Sequence, residues 1–131
     1  MRPPPGDRCT HDARQGVTFR INAQGTVNCL EAASRVGAER FVFASSEAVL
    51  GFPYREVDFK PDYFPIDEGH RLQPQDSYGV SKVAAEELVR CLGRVHGLEY
   101  VIVAPHNVFG VGQRYDDPYR NVIAILVNRL L

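Results

Sequence analysis

Two short runs constrain the fold most: Arg40-Phe41-Val42-Phe43-Ala44, and Leu98 to Ala104 with Tyr100, Val101, Ile102 and Val103 at its centre. Both carry apolar residues on both parities, whereas a strand with one wet face alternates apolar and polar. Such runs predict strands covered on both faces of a parallel sheet. Between them Asp76 or Ser77 stands as a helix cap, followed by Val80, Val83, Ala84, Leu88 and Leu92 on one side and a close near His96-Gly97. The order is strand, helix, strand, and Pro105 stops the second strand.

Upstream, Ile21, Ala23, Val27, Leu30, Ala33 and Val36 recur at helical spacing, with Gly37 placed as a C-terminal cap. Residues 1–17, with three successive prolines, show no apolar period and are expected to be a poorly ordered lead-in to the domain at 18–131. The segment from Gly51 to Pro74 holds Pro53, Pro61, Pro65 and Pro74 among aromatics, and predicts an ordered loop packed on the rest. Asp117-Pro118 then opens a last helix carrying Tyr119, Ile123, Leu126 and Leu130. The whole is an α/β chain, a piece of a doubly wound parallel sheet. Two strands alone leave both sheet edges unpaired, which suggests the middle of a larger domain.

Composition narrows the function classes. With 15 Lys+Arg against 16 Asp+Glu there is no basic footprint for nucleic acid or an anionic membrane. The longest wholly apolar run, Val122 to Val127, is far short of the ~20 residues that span a bilayer. No secretory leader is expected from the first residues, and Cys9, Cys29 and Cys91, odd in number and widely spaced, suggest a reducing, cytoplasmic setting. His11, His70 and His96 have no ligand spacing with those cysteines, so no metal is expected.

One string carries chemistry. Tyr78-Gly79-Val80-Ser81-Lys82 stacks a phenol and an ammonium one turn apart on a helix face. A free tyrosine has a pKa of about 10, and a neighbouring cation favours its phenolate, the form that can act as a base. A serine at the C-terminal end of the preceding strand would stand where ligands gather in open α/β sheets, able to donate a hydrogen bond to a substrate oxygen. Ser46 is that candidate. Taken alone, Tyr78 and Lys82 equally describe a half-buried tyrosine beside a solvated lysine. The surrounding string decides between the two.

That string comes in four ordered segments: Asn22-Ala23-Gln24-Gly25-Thr26-Val27-Asn28 with Leu30-Glu31-Ala32-Ala33; Arg40 to Gly51 with Ser45-Ser46-Glu47-Ala48 inside it; Ser77-Tyr78-Gly79-Val80-Ser81-Lys82; and Pro105-His106-Asn107-Val108-Phe109-Gly110. Together they resemble the extended short-chain dehydrogenase/reductase family, and within it the NAD-dependent epimerase/dehydratases of the UDP-glucose 4-epimerase type. The resemblance implies a partial Rossmann-type doubly wound sheet that lacks the N-terminal glycine-rich unit and the C-terminal substrate domain. It implies NAD as cofactor and a nucleotide sugar as substrate. Tyr78 would be the catalytic acid/base, Lys82 would hold the nicotinamide ribose and lower the tyrosine pKa, and Ser46 would orient the reacting hydroxyl. Asn22, Pro105 and His106 would border the cofactor, and Glu47, Asn107 and Asn121 the nucleotide sugar. Other roles stay open for several of these: Asn22 as a helix cap or kink, Asn107 and Asn121 as turn and first-turn polar residues, His106 as packing. Relatives pack helices like the one bearing Tyr78 into a dimer's four-helix bundle, so a homodimer is also implied.

Two departures bear on activity. A dinucleotide enzyme needs a glycine-rich strand-to-helix turn for the pyrophosphate, and Gly110-Val111-Gly112 lacks the third glycine, position 115 being Tyr115. The family's dehydratases carry an acidic pair after the serine, which here reads Glu47-Ala48. The combined expectation is an NAD-dependent nucleotide-sugar 4-epimerase segment, weakly active alone. The alternatives are a non-catalytic paralogue or binding module on the same fold, and another nucleotide-sugar reductase, dehydratase or 2-epimerase.

Overall fold

The computed structural model describes residues 15–51, 66–113 and 122–130. Helix α1 (Gln15–Phe19) runs through a π-helical turn at Arg20–Gln24 into α2 (Gly25–Arg35). Strand β1 (Arg40–Ala44) follows, then a 3₁₀ turn at Glu47–Val49, helix α3 (Ser77–His96), strand β2 (Glu99–Val103) and helix α4 (Val122–Leu130). Helix α1 takes in residues 15–17, so that end of the expected lead-in is helical; residues 1–14 lie outside the described part.

β1 and β2 pair in parallel, in a register that sets Arg40 opposite Glu99 and Ala44 opposite Val103. At the open end of that ladder the Arg40 guanidinium meets the Glu99 carboxylate at 2.7 Å, an exposed ion pair that contributes little stability. The core is built from Leu30 of α2, Phe43 of β1, Ala85 and Val89 of α3, and Leu98 at the entry to β2, with Phe41, Tyr100 and Ile102 against it. Each fully buried Leu or Val there is worth about 1.5–3 kcal/mol.

Burial on both strand faces, expected from the sequence, is not what the structure has. Phe41, Phe43, Tyr100 and Ile102 face the helices, but Val42 is 64% exposed, and Val101 and Val103 are exposed as well. Side chains alternate along a strand, and α2 and α3 both contribute to the core on one side. Among the described residues the other side stays largely exposed, most of all at Val42.

The helix faces also differ from the sequence reading. In the first helical segment Ala23, Thr26 and Leu30 are buried, while Ile21 is exposed and Val36 stands beyond the helix end, 80% exposed. The π turn inserts a residue and shifts the phase of everything before it. In α3 the buried positions are Gly79, Ser81, Ala85, Glu86, Val89 and Gly93, whereas Val83, Leu88 and Leu92 are half-buried and Val80 is exposed. Small side chains let the helix approach closely: a Cβ on Gly93 would lie 2.5 Å from the Tyr100 ring. The helix then closes as expected, with Gly97 in the left-handed region at φ 63° and its N–H reaching back to Arg94 O.

Candidate active site

The site forms where the two strands end. Ser45 N–H donates to Val103 O at 2.8 Å and Glu47 N–H to Pro105 O at 3.3 Å, so the chains leaving β1 and β2 stay side by side beyond the ladder. Ser46 between them is extended, and its Oγ accepts from Ala48 N–H at 3.3 Å, capping the 3₁₀ turn. Gln73 N–H donates to Val49 O at 2.9 Å and brings the segment before α3 against the same turn.

Asp76 caps α3, its carboxylate accepting from Gly79 N–H at 2.6 Å. Gly79 is required by the close approach that follows: a Cβ there would lie 2.5 Å from Ala48 O and 2.9 Å from Pro74 Cβ. This contact sets the first turn of α3 directly on the 3₁₀ turn. Tyr78 and Ser46 consequently share the wall of one open cavity of ≈ 570 Å³, together with Glu47, Leu50, His106 and Asn107. Tyr78 is 40% exposed, open to a ligand in that cavity. Glu47 Oε2 is shielded from solvent and lies against His106 Nδ1, joining the turn after β1 to the segment after β2.

Lys82 sits one turn below Tyr78. Its ammonium donates to Ala44 O at 2.7 Å and lies 5.0 Å from the Phe43 ring centre and 5.9 Å from that of Tyr78. Partial burial pushes its pKa below the ordinary lysine value. The lysine is therefore held against the end of β1, under the tyrosine.

Asn22 is not among the residues lining the cavity. Its Nδ2 donates to Ser81 Oγ at 2.9 Å, and the Ser81 hydroxyl donates to Tyr78 O at 2.7 Å, so Asn22 braces the helix turn that carries the tyrosine. The Asn22 carbonyl, within the π turn, accepts from the Thr26 hydroxyl at 2.6 Å. Pro105 takes part through its backbone carbonyl. Asn121 lies outside the described residues.

Sequence reasoning missed Ile66 and Gln75 on the cavity wall, and a buried polar group behind it: Ser45 donates to Glu86, which pairs with Arg90. The signal available was the spacing of Lys82, Glu86 and Arg90 on one side of α3.

A parallel β-α-β unit with helices packed against its sheet and a cavity at the strand ends is a piece of a Rossmann-type domain. The NAD dependent epimerase/dehydratase family matches residues 8–131, and the chain belongs to it. It is 38% identical over 114 residues to a putative UDP-glucose 4-epimerase of Methanocaldococcus jannaschii, a match that takes in 85% of this chain and 34% of that one. To UDP-glucose 4-epimerase of Azospirillum brasilense it is 35% identical over 92 residues, 70% of this chain and 24% of that one. The fold is similar to Thermotoga maritima UDP-glucose 4-epimerase solved with UDP-glucose (TM-score 0.74, 25% identity, 88% of this chain and 35% of that one). It is likewise similar to the Thermus thermophilus enzyme solved with NAD (TM-score 0.63, 32% identity, 84% of this chain and 32% of that one). The chain thus spans about a third or less of the length of these relatives. Among the described residues no helix is long and apolar enough to cross a membrane.

Proposed function

We propose that this chain is the catalytic segment of an NAD-dependent nucleotide-sugar 4-epimerase of the UDP-glucose/UDP-galactose type. The observation that carries the reading is the convergence of Ser46 and Tyr78 on one cavity at the strand ends, with Lys82 anchored beneath the tyrosine. Tyr78 takes the proton of the sugar 4-hydroxyl while Ser46 holds the same oxygen by a hydrogen bond. The Lys82 charge below the ring offsets negative charge on the phenolic oxygen during the transfer. Bound NAD supplies the hydride acceptor and, on return, the hydride donor. The 4-keto sugar turns over in the cavity, its C4 carbon takes hydride back on the opposite face, and Tyr78 returns its proton to the 4-oxygen. Positioning carries much of the barrier reduction in such a step.

The residues present fit one end of the cofactor. The Lys82 ammonium has three donors, and its contact with Ala44 O uses one, which leaves it suited to ribose hydroxyls close to Tyr78. The pyrophosphate end is different, because the sequence holds no Gly-x-x-Gly-x-x-Gly stretch. The alternative reading is a non-catalytic module on the same fold.

Calorimetry with NAD⁺ on this chain and on Lys82→Ala separates the two. Binding in the micromolar range that weakens in the variant supports the enzyme reading. A folded chain without detectable binding supports the module. Turnover of UDP-glucose by the chain alone is expected to be slight, and robust turnover would refute the dependence on a missing pyrophosphate turn.

A further inference from the structure

A buried charge that the proposed chemistry does not use lies behind the cavity. Glu86 is 3% exposed and Ser45 is 4% exposed, and the Ser45 hydroxyl donates to Glu86 Oε1. The other carboxylate oxygen takes Arg90 at 2.8 Å, and Arg90 also reaches Glu87 at 2.7 Å. Burial works against the Arg90 charge, but the hydrogen bond and Coulomb attraction of Glu86, with Glu87 behind them, outweigh it and raise its pKa. A carboxylate taken out of water is costly unless both its oxygens find partners, and these partners are chosen from two different elements.

We propose that Glu86, held by Arg90, is a positioning residue that clamps the end of β1 to α3 through Ser45 and thereby fixes Ser46 opposite Tyr78. Tyr78, Lys82, Glu86 and Arg90 follow at four-residue intervals down one side of α3, placing Glu86 about 12 Å along the helix axis from Tyr78. It therefore acts from outside the cavity. Lys82 grips Ala44 O and Glu86 grips the Ser45 hydroxyl, two successive residues at the strand end, so the helix holds that end at two points. Ser45 is restrained a third way, by its N–H on Val103 O. With Ser45 fixed in backbone and side chain, the extended Ser46 has one direction left, toward the cavity and its cap on Ala48 N–H. Charge on the acceptor strengthens the clamp, because hydrogen bonds to ionised groups are the stronger kind.

The functional weight of this clamp rests on the role given to Ser46 above, but its test does not need turnover. Amide hydrogen exchange is followed by NMR in the full chain, at Glu47 (bonded to Pro105 O) and Val49 (bonded to Ser46 O), with Phe43 and Val89 as core references. Ser45→Ala is expected to speed Glu47 and Val49 about tenfold, the weight of one hydrogen bond to a charged group, while the references stay within about twofold. Glu86→Gln still offers an oxygen to the Ser45 hydroxyl and is expected to keep both amides within about threefold of wild type. Unchanged rates in Ser45→Ala overturn the clamp. A rise at all four amides together means general stabilisation and overturns it too, as does Glu86→Gln behaving like Ser45→Ala. Failure of NAD⁺ binding with this exchange pattern intact would count against the enzyme reading alone.

Discussion

Replacing Gly79 with alanine puts a methyl carbon 2.5 Å from the carbonyl oxygen of Ala48 and 2.9 Å from Pro74 Cβ, both inside the 3.0 Å that such atoms keep. The first neighbour is backbone and the second is a ring carbon, so neither swings aside as a flexible side-chain end would. Relief requires the first turn of α3 to back away from the 3₁₀ turn by roughly 0.5 Å, against the Asp76 cap, whose Oδ1 would itself stand 3.2 Å from the new carbon. Overpacking of this kind costs about 1–3 kcal/mol. Alanine's helix preference over glycine returns at most about 1 kcal/mol, and less in a first turn. Crowding wins, and a net loss of about 1–2 kcal/mol is expected. Urea unfolding followed by far-UV circular dichroism reads this as a lower midpoint with an unchanged slope. NAD⁺ titration of the folded variant should also weaken, because the same shift separates Tyr78 from Ser46. A Gly79→Ala chain as stable as wild type or more so would show that helix and turn do not touch at this point.

Asp76→Ala removes the cap on Gly79 N–H and should lower stability by about 1 kcal/mol, whereas Asp76→Asn retains most of it, as chemical denaturation would show. Leu30→Ala empties a fully buried core position and should cost about 2–5 kcal/mol, a loss measurable from the same urea curves; a cost under 1 kcal/mol would deny α2 its place against the sheet. Burial lowers the Lys82 pKa, so near that pKa the unfolded chain binds more protons than the folded one, and the stability contribution of this group rises with pH. Relative to Lys82→Met, wild type should therefore gain stability as pH climbs from the lowered folded value toward the ordinary lysine value; a difference that stays flat or narrows in the opposite sense across that alkaline range refutes the assignment.

The strand-helix-strand order, the parallel pairing it requires, a helix cap at Asp76 or Ser77 and the Gly97 stop were all legible in the sequence. They rest on local rules: apolar runs, cap chemistry and four-residue spacing act over one turn or one strand, and a linear string records them directly. Tertiary structure decided the rest. Which side of α3 is buried depended on small residues, Ser81, Ala85 and Gly93, whose value lies in how closely another element can approach, not in their own hydrophobicity. Asn22 braces Ser81 and Glu86 holds Ser45, contacts across 59 and 41 residues of chain that no local pattern encodes. Among the described residues Val42, Val101 and Val103 are exposed while Phe43 is buried, because successive side chains of one apolar run point to opposite faces of the sheet. The sequence carries the chemical groups, and packing over long separations sets the directions in which they point.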